Sequence, residues 1–286
     1  MQSWREIGLS VVAGVLLAGL MAQPAAGASP APRSQPEVRS HAFYVLDEAG
    51  ATVLAARHEH TPVPIASITK LMTALVVLDA GQPLDEVLTI TRADLDGTVG
   101  GSSRIPLGAR LTRSDMLRLA LMSSENRSTH ALCRNYPGGK PACVNAMNAK
   151  AADLGMRTAR FVEPTGLSSR NVASPEDLAK LVLASGANPT ISRYSTARDY
   201  TVVVKGQPLE YRNSNLLVKN PDWKVNVQKT GYISEAGRCL VMQTVIDGRD
   251  VVIVLLNSWG TLTRIADAKR IRSWMEQQVR RSAAAS

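Results

Sequence analysis

The sequence predicts an α/β (α+β) protein in which one antiparallel sheet is assembled from both ends of the chain, with helices on its two faces. Three observations carry this expectation. Strand-rich runs occur early, at His41–Asp47 and Thr52–Ala56. Three more follow late, at Val225–Ile233, Arg238–Ile246 and Asp250–Asn257. The patterns between them are mainly helical, and Arg264–Val279 adds a final amphipathic helix with Ile265, Ala268, Ile271, Trp274 and Met275 toward one side. The economical arrangement puts this terminal helix on one face of the sheet and a helical insert on the other.

The turns between the early and late strands support the pairing. Glu48-Ala-Gly-Ala51 separates the first two runs, Glu235-Ala-Gly237 the next pair, and Asp247-Gly248 is a strong hairpin signal. Ser67–Ala80 reads as a helix stopped by Gly81 and Pro83, and it is apolar nearly all round after Lys70, which marks it as central and buried. Thr112-Arg-Ser-Asp115 is a capping box that opens a helix through Met122. Ser123–Asn126 interrupts it. Further helix is expected across Val144–Leu154, and Ser174-Pro-Glu-Asp177 caps another over Leu178–Ala184. Asp94–Arg104, rich in Gly and Ser, reads as a mobile loop.

Residues 1–28 are expected to be a signal peptide. Arg5 supplies the positive start, Ile7–Ala22 is an apolar run short for a bilayer span, and Ala26-Gly-Ala28 is a small-residue cleavage site. Ser29–Ser40 reads as a flexible lead and 41–282 as one domain. The protein is therefore expected to be exported, to the periplasm once the resemblance below is considered. At most peripheral contact with a membrane is expected.

The 286 residues carry 33 Lys+Arg against 24 Asp+Glu, a net charge of +9 that persists after loss of Arg5 and Glu6. In an exported protein this suits anionic envelope surfaces. Only 4% of residues are aromatic, which argues against base-stacking and nucleic acid. Four His and no H-E-x-x-H leave a zinc hydrolase without its ligands, so neither metal nor organic cofactor is expected. Cys133 and Cys143 flank the turn-like Tyr136-Pro-Gly-Gly139, and export permits a disulfide between them; Cys239, in an apolar strand-like run, reads as a buried free thiol.

Three short motifs occur in order: Ser67-Ile-Thr-Lys70, Ser124-Glu-Asn126 and Lys229-Thr-Gly231. Each alone is weak; together, in fitting local contexts, they signal acyl-serine chemistry. A serine hydroxyl needs a base within hydrogen-bond reach. One helical turn separates Ser67 from Lys70, and an apolar setting disfavours the lysine's charge, which makes it a base. The backbone N–H at the helix start suits a developing oxyanion. Ser124 is placed to relay a proton to the leaving amine, and Asn126 to hold a substrate amide. Lys229 and Thr230 suit a carboxylate, Gly231 permits close backbone approach, and the Tyr232 N–H is a candidate second oxyanion donor.

With these motifs the chain resembles the penicillin-binding, active-site-serine D-alanyl-D-alanine peptidases, and within them the periplasmic D-alanyl-D-alanine endopeptidases of Gram-negative bacteria. The resemblance rests on Pro64-Ile-Ala-Ser-Ile-Thr-Lys-Leu-Met-Thr-Ala, Leu119-Ala-Leu-Met-Ser-Ser-Glu-Asn-Arg, Tyr136-Pro-Gly-Gly, Arg160-Phe-Val-Glu-Pro-Thr-Gly-Leu and Lys229-Thr-Gly-Tyr, and runs from about His41 to Glu276. It implies a β-lactamase/transpeptidase-like fold, an acyl-enzyme on Ser67, and covalent capture of β-lactam antibiotics. It implies peptidoglycan stem peptides as substrate, with the D-Ala–diaminopimelate cross-link as the bond cut. It assigns Ser67 as nucleophile, Lys70 as proton acceptor, Ser124 as second serine and Lys229 as substrate-binding, with Arg212 as a further carboxylate contact. Two alternatives stay open: a D-alanyl-D-alanine carboxypeptidase, and a class A-like β-lactamase. The second needs a deacylating carboxylate; Glu163 stands in Glu-Pro-Thr-Gly-Leu rather than E-x-x-L-N and reads as structural or substrate-facing.

Overall fold

The computed structural model describes residues 35–95 and 103–284. The expected signal peptide, the start of the lead and most of the expected mobile loop lie outside these residues.

In chain order the elements are β1 (Ala42–Asp47), β2 (Thr52–Arg57), β3 (Val63–Pro64), α1 (Thr69–Asp79), β4 (Val87–Thr89), β5 (Arg110–Thr112), α2 (Arg113–Met122), α3 (Asn126–Arg134) and α4 (Gly139–Asp153). Then come β6 (Val172–Ala173), α5 (Pro175–Gly186), α6 (Pro189–Ser195), β7 (Asp199–Val204), β8 (Gln207–Arg212), β9 (Lys224–Ile233), β10 (Gly237–Ile246), β11 (Arg249–Ser258) and α7 (Thr263–Ala284).

The main sheet has the order β2-β1-β11-β10-β9, and every neighbouring pair is antiparallel. Both chain ends build it, as the sequence predicts: β1 pairs with β11 in the register Tyr44↔Val254. The tight connection between β10 and β11 is Asp247-Gly248, whose φ values of 50° and 74° are those of a hairpin turn that matches strand twist.

Period-two alternation divides the core into two layers. Phe43 and Val45 of β1 point to the side where Leu240, Met242, Ile253 and Leu255 meet Ala268, Ile271 and Met275 of α7. Tyr44 and Leu46 point the other way, with Val241, Val252 and Val254, toward Leu71, Leu75, Leu178 and Leu181 of the helical layer. Helix α1 is central there, and Thr69–Val77 are all buried. An apolar, unstriped sequence is what a helix with neighbours on every side requires.

Several boundaries differ from expectation. The helix from Ser67 begins as a 3₁₀ turn, Ala66–Ile68, and becomes α-helical only at Thr69. Helix α4 starts at Gly139, where Gly138 and Gly139 adopt φ of 82° and 76°, rather than at Val144. Helices α3 and α6 and the β7–β8 hairpin were not anticipated. That hairpin had a signal in Lys205-Gly206, both with positive φ.

The lead is also less loose than its composition suggests. Pro36, Val38 and Ser40 are buried, and Val38 joins the α7-side core. Buried Asp267 of α7 accepts hydrogen bonds from Arg39 N (3.0 Å), Ser40 N (2.7 Å), Ser40 Oγ (2.6 Å) and Arg270 Nη1 (2.6 Å). Asp94 likewise leaves the expected mobile loop: it is buried, caps a short turn at Thr91 and pairs with Arg134 Nε at 2.9 Å. Cys133 and Cys143 form a disulfide with Cα atoms 5.5 Å apart, and Cys239 is a buried free thiol.

Asp267→Ala is expected to strand the buried Ser40 N–H, while Ser40 Oγ keeps Ser258 Oγ at 2.6 Å. A stranded buried donor costs about 1–3 kcal/mol, so denaturant unfolding is expected to show stability lower by roughly 2 kcal/mol. Burial pushes the Cys239 thiol to about 11, so it stays protonated at neutral pH. Alkylation of the folded protein is expected to be negligible at pH 8 and to become complete once the chain is unfolded; rapid native labelling at pH 8 contradicts this placement.

Candidate active site

The first motif is set by a close stack of three backbones. Ser67 sits in the 3₁₀ turn, preceded by Ala66 at φ 46°. A 3₁₀ turn superposes residues i and i+3, which brings Lys70 Nζ to 2.8 Å from Ser67 Oγ. Lys70 is buried, and its amine also lies 2.8 Å from Asn126 Oδ1 and 2.8 Å from the Thr165 carbonyl oxygen.

Thr165 belongs to the segment Arg160–Leu167, which carries Glu163. The Glu163 carboxylate accepts from Thr165 N (2.7 Å), Thr165 Oγ1 (2.6 Å), Gly166 N (2.6 Å) and Asn171 Nδ2 (3.1 Å). Both oxygens are engaged within their own loop, so the structural reading of Glu163 holds. Asn171 ties this loop to the Ser67 turn: its Nδ2 donates to Thr69 Oγ1 at 3.1 Å, and its carbonyl accepts from Ile65 N at 3.1 Å. Thr73 Oγ1 donates to the Pro164 carbonyl at 2.7 Å. Gly166, at φ +84°, lies directly against the turn; a Cβ there would stand 1.8 Å from the Ala66 oxygen.

From the other side comes β9. A Cβ on Gly231 would stand 3.0 Å from both Ser67 N and Ala66 Cβ and 3.1 Å from the Ile65 oxygen. The glycine of the third motif therefore lets the strand pass the nucleophile's backbone. Lys229 is fully buried, and its Nζ donates to the Thr230 carbonyl at 2.8 Å. Burial, then the Lys70 charge, then Arg264 hold the Lys229 amine well below the ordinary lysine range. Arg264, at the start of α7, was not singled out in the sequence; its Nε and Nη1 are buried without a partner.

Ser124 and Asn126 occupy the break between α2 and α3, with Asn126 as the first residue of α3. Ser124 takes φ 65°, costly for a residue with a Cβ, and the surrounding bonds enforce it. Glu125 N donates to the Leu119 carbonyl at 3.1 Å, Glu125 Oε2 accepts from Ser128 N at 2.9 Å, and Thr129 Oγ1 donates to the Glu125 carbonyl at 2.7 Å. Ser214 joins this wall to the third motif: its N donates to the Met122 carbonyl at 2.8 Å and its Oγ is 2.7 Å from Thr230 Oγ1.

The sequence-predicted residues thus fall into two groups. Ser67, Lys70, Asn126 and Gly231 are brought together directly, with Thr230 linked through Ser214. Ser124 and Asn126 line a cavity of about 240 Å³ with Arg212, whose exposed side chain pairs with Glu210 at 3.2 Å. Lys229 hydrogen-bonds Thr230 rather than the second motif. The Tyr232 side chain is exposed, under the Arg238 guanidinium at 4.6 Å from its ring centroid. Thr165, Gly166 and Ser214 were missed as site residues; the Arg160–Leu167 and Arg212–Leu217 stretches held the only signal.

With this geometry in hand, comparison with known proteins is decisive. The sequence pattern of the D-alanyl-D-alanine carboxypeptidase family (peptidase S11) matches residues 29–260. The chain belongs to this family. It is 47% identical to the D-alanyl-D-alanine endopeptidase of Pseudomonas aeruginosa over 267 residues, covering 91% of this chain and 86% of that one. It is 46% identical to the D-alanyl-D-alanine endopeptidase of Escherichia coli over 245 residues, covering 85% and 79%. Among solved structures it is similar to the Streptomyces K15 DD-transpeptidase, with a TM-score of 0.78, 25% identity, and coverage of 84% and 98%. The fold is thus the transpeptidase/β-lactamase one, and the protein is a serine DD-peptidase, a hydrolase of peptidoglycan peptides; covalent β-lactam binding is typical of its family.

Gly166→Ala is expected to abolish acylation by a labelled penicillin and to lower the melting temperature, because its new methyl collides with backbone rather than with a movable side chain. Near-normal labelling would show that the Ser67 turn does not depend on this contact.

Proposed function

We propose that this family member is a D-alanyl-D-alanine endopeptidase that hydrolyses D-Ala–diaminopimelate cross-links. The observation that carries the mechanism is the 2.8 Å separation of Lys70 Nζ and Ser67 Oγ inside a buried setting. The preference for the cross-link is supported by the likeness to the D-alanyl-D-alanine endopeptidases of Pseudomonas aeruginosa and Escherichia coli.

Three oxygens surround the Lys70 amine, enough for the three N–H bonds of an ammonium. In the neutral form only two N–H bonds remain. The fixed acceptors Asn126 Oδ1 and Thr165 O take these two, and the lone pair is left for the Ser67 hydroxyl. Burial favours that neutral form. Ser67 Oγ attacks the D-Ala carbonyl carbon and its proton passes to Lys70. The oxyanion is held by the Ser67 backbone N–H, with that of Tyr232, the residue after Gly231, as the second donor; the close pass of Gly231 against Ser67 N supports this reading. The proton on Lys70 reaches the leaving amine by way of the Ser124 hydroxyl, which gives up one proton and takes another, so that Lys70 is neutral again when the C–N bond breaks. Water then attacks the acyl-enzyme and releases Ser67.

Asn126 Nδ2 is the donor available to a substrate carbonyl. Lys229, Thr230 and Arg212 draw the carboxylate beside the scissile bond, and the unpartnered N–H groups of Arg264 add positive potential next to Lys229. The proposed route uses no metal or organic cofactor. With both its oxygens engaged in its own loop, Glu163 does not speed deacylation, so penicillin is held as a stable adduct rather than destroyed as by a β-lactamase.

Export to the periplasm, with a signal peptide removed after Ala28 and residues 41–282 as the catalytic domain, fits this substrate. No helix among the described residues is long and apolar enough to cross a membrane.

Incubation with labelled penicillin is expected to modify Ser67 alone, and Ser67→Ala is expected to give no adduct. Lys70→Ala is expected to slow acylation about a thousandfold, the size of a lost general base. Normal acylation in that variant removes lysine from the mechanism. Cross-linked muropeptide dimers are expected to be cleaved; release of free D-Ala from pentapeptide monomers without dimer cleavage assigns a carboxypeptidase instead.

A further inference from the structure

The 240 Å³ cavity beside the second motif holds more positive charge than the chemistry at Ser67 requires. Its wall is built from Ser103, Arg104, Ser124, Asn126, Tyr211 and Arg212. Arg104 is held in place by two contacts: Nη1 donates to the Glu210 carbonyl at 2.7 Å, and the guanidinium carbon lies 4.8 Å from the Tyr211 ring centroid. Tyr211 is itself only 5% exposed, so the ring is a fixed platform. Stacking fixes the guanidinium plane and leaves its remaining N–H donors for a ligand. Arg212, across from it, has a 73% exposed side chain, and its pairing with exposed Glu210 is weak enough to yield to a ligand. Glu125 also lines the cavity with a negative charge; its Oε2 accepts from Ser128 N at the start of α3 and its Oε1 is buried without a hydrogen-bond partner, so the arginines outnumber it rather than stand alone. Arg127 adds a third positive charge near Tyr211.

We propose that this cavity is a leaving-side subsite in which Arg104 binds a carboxylate of the acceptor stem beyond the one that Arg212 draws beside the scissile bond, and that it makes the enzyme favour cross-links over a terminal D-Ala. The proposal rests on the serine peptidase reading above. Its side is set by Ser124, which lines the cavity and serves the leaving amine. A D-Ala leaving group ends at a methyl and one carboxylate. A diaminopimelate leaving group carries the same carboxylate, then a methylene chain that leads to the rest of the acceptor stem and its further carboxylates. Only the latter extends far enough to meet Arg104. Arg104 is then a specificity residue, and Tyr211 positions it through its ring face alone.

The test compares muropeptide dimers with native acceptor-stem carboxylates and dimers in which those carboxylates are amidated except the one beside the scissile bond. The wild-type protein is expected to cleave the native dimer with kcat/KM at least about tenfold higher, as for loss of one charge-assisted hydrogen bond. Arg104→Ala is expected to bring this ratio close to one, and Tyr211→Phe to keep it. Equal cleavage of both dimers by the wild type overturns the proposal without any variant, as does an unchanged ratio in Arg104→Ala. Penicillin labelling of Ser67 in the wild type separates the two levels: its absence removes the peptidase reading itself, whereas labelling with no carboxylate preference removes only the subsite.

Discussion

The amine of Lys70 lies 2.8 Å from each of three oxygens supplied by separate parts of the chain: the Ser67 hydroxyl, the Asn126 side chain and the Thr165 carbonyl. That single convergence sets much of the surrounding architecture. It needs a 3₁₀ turn so that residue 67 eclipses residue 70, an interrupted helix so that Asn126 faces inward, and a loop that aims a carbonyl at a buried lysine. Burying an amine is tolerable only when its donors are met. The loop that meets one of them is stiffened by Glu163 and fastened to α1 through Asn171 and Thr73. Gly166 and Gly231 then allow two further backbones to close on the same turn, where any side chain would strike Ala66 or Ser67.

The sheet explains why such a turn can be held still. Strand β9 is its edge member, braced along its length by β10, and it carries Lys229, Thr230 and Gly231 past the nucleophile. Thr69–Val77 of helix α1 are all buried, so the Ser67 turn is anchored to a helix enclosed by its neighbours. Burial together with the neighbouring basic groups Lys70 and Arg264 disfavours the charge of Lys229 there, the kind of perturbed cluster that a functional site carries.

Much of this was legible in the sequence because local and global signals agreed. The two-ended sheet followed from period-two runs at both ends and a strong Asp247-Gly248 turn. The three motifs named Ser67, Lys70, Ser124, Asn126 and Lys229 because their chemistry demands particular residue types at particular spacings. What stayed hidden depends on contacts between distant segments. Glu163 reads from the sequence as structural or substrate-facing, and only its hydrogen bonds to Thr165, Gly166 and Asn171 choose between the two. Ser214 and Thr165 act through position, one as a bridge and one through a backbone carbonyl that carries no residue code. The burial of Val38 and Ser40 was masked by a Pro- and Ser-rich composition, since the acceptor that fixes them, Asp267, lies 227 residues from Ser40. Helix α3 was obscured by its polar first turn, Asn126-Arg-Ser-Thr129, although its Glu125 cap is visible in retrospect.

The claim on which the mechanism stands is that the Lys70 lone pair faces the Ser67 hydroxyl. Neutron diffraction from the resting protein at neutral pH locates the exchangeable hydrogens directly. The account predicts two deuterons on Lys70 Nζ, directed at Asn126 Oδ1 and the Thr165 oxygen, with the Ser67 deuteron pointing at the nitrogen. Three deuterons on Nζ, one of them on the Ser67 oxygen, would contradict it.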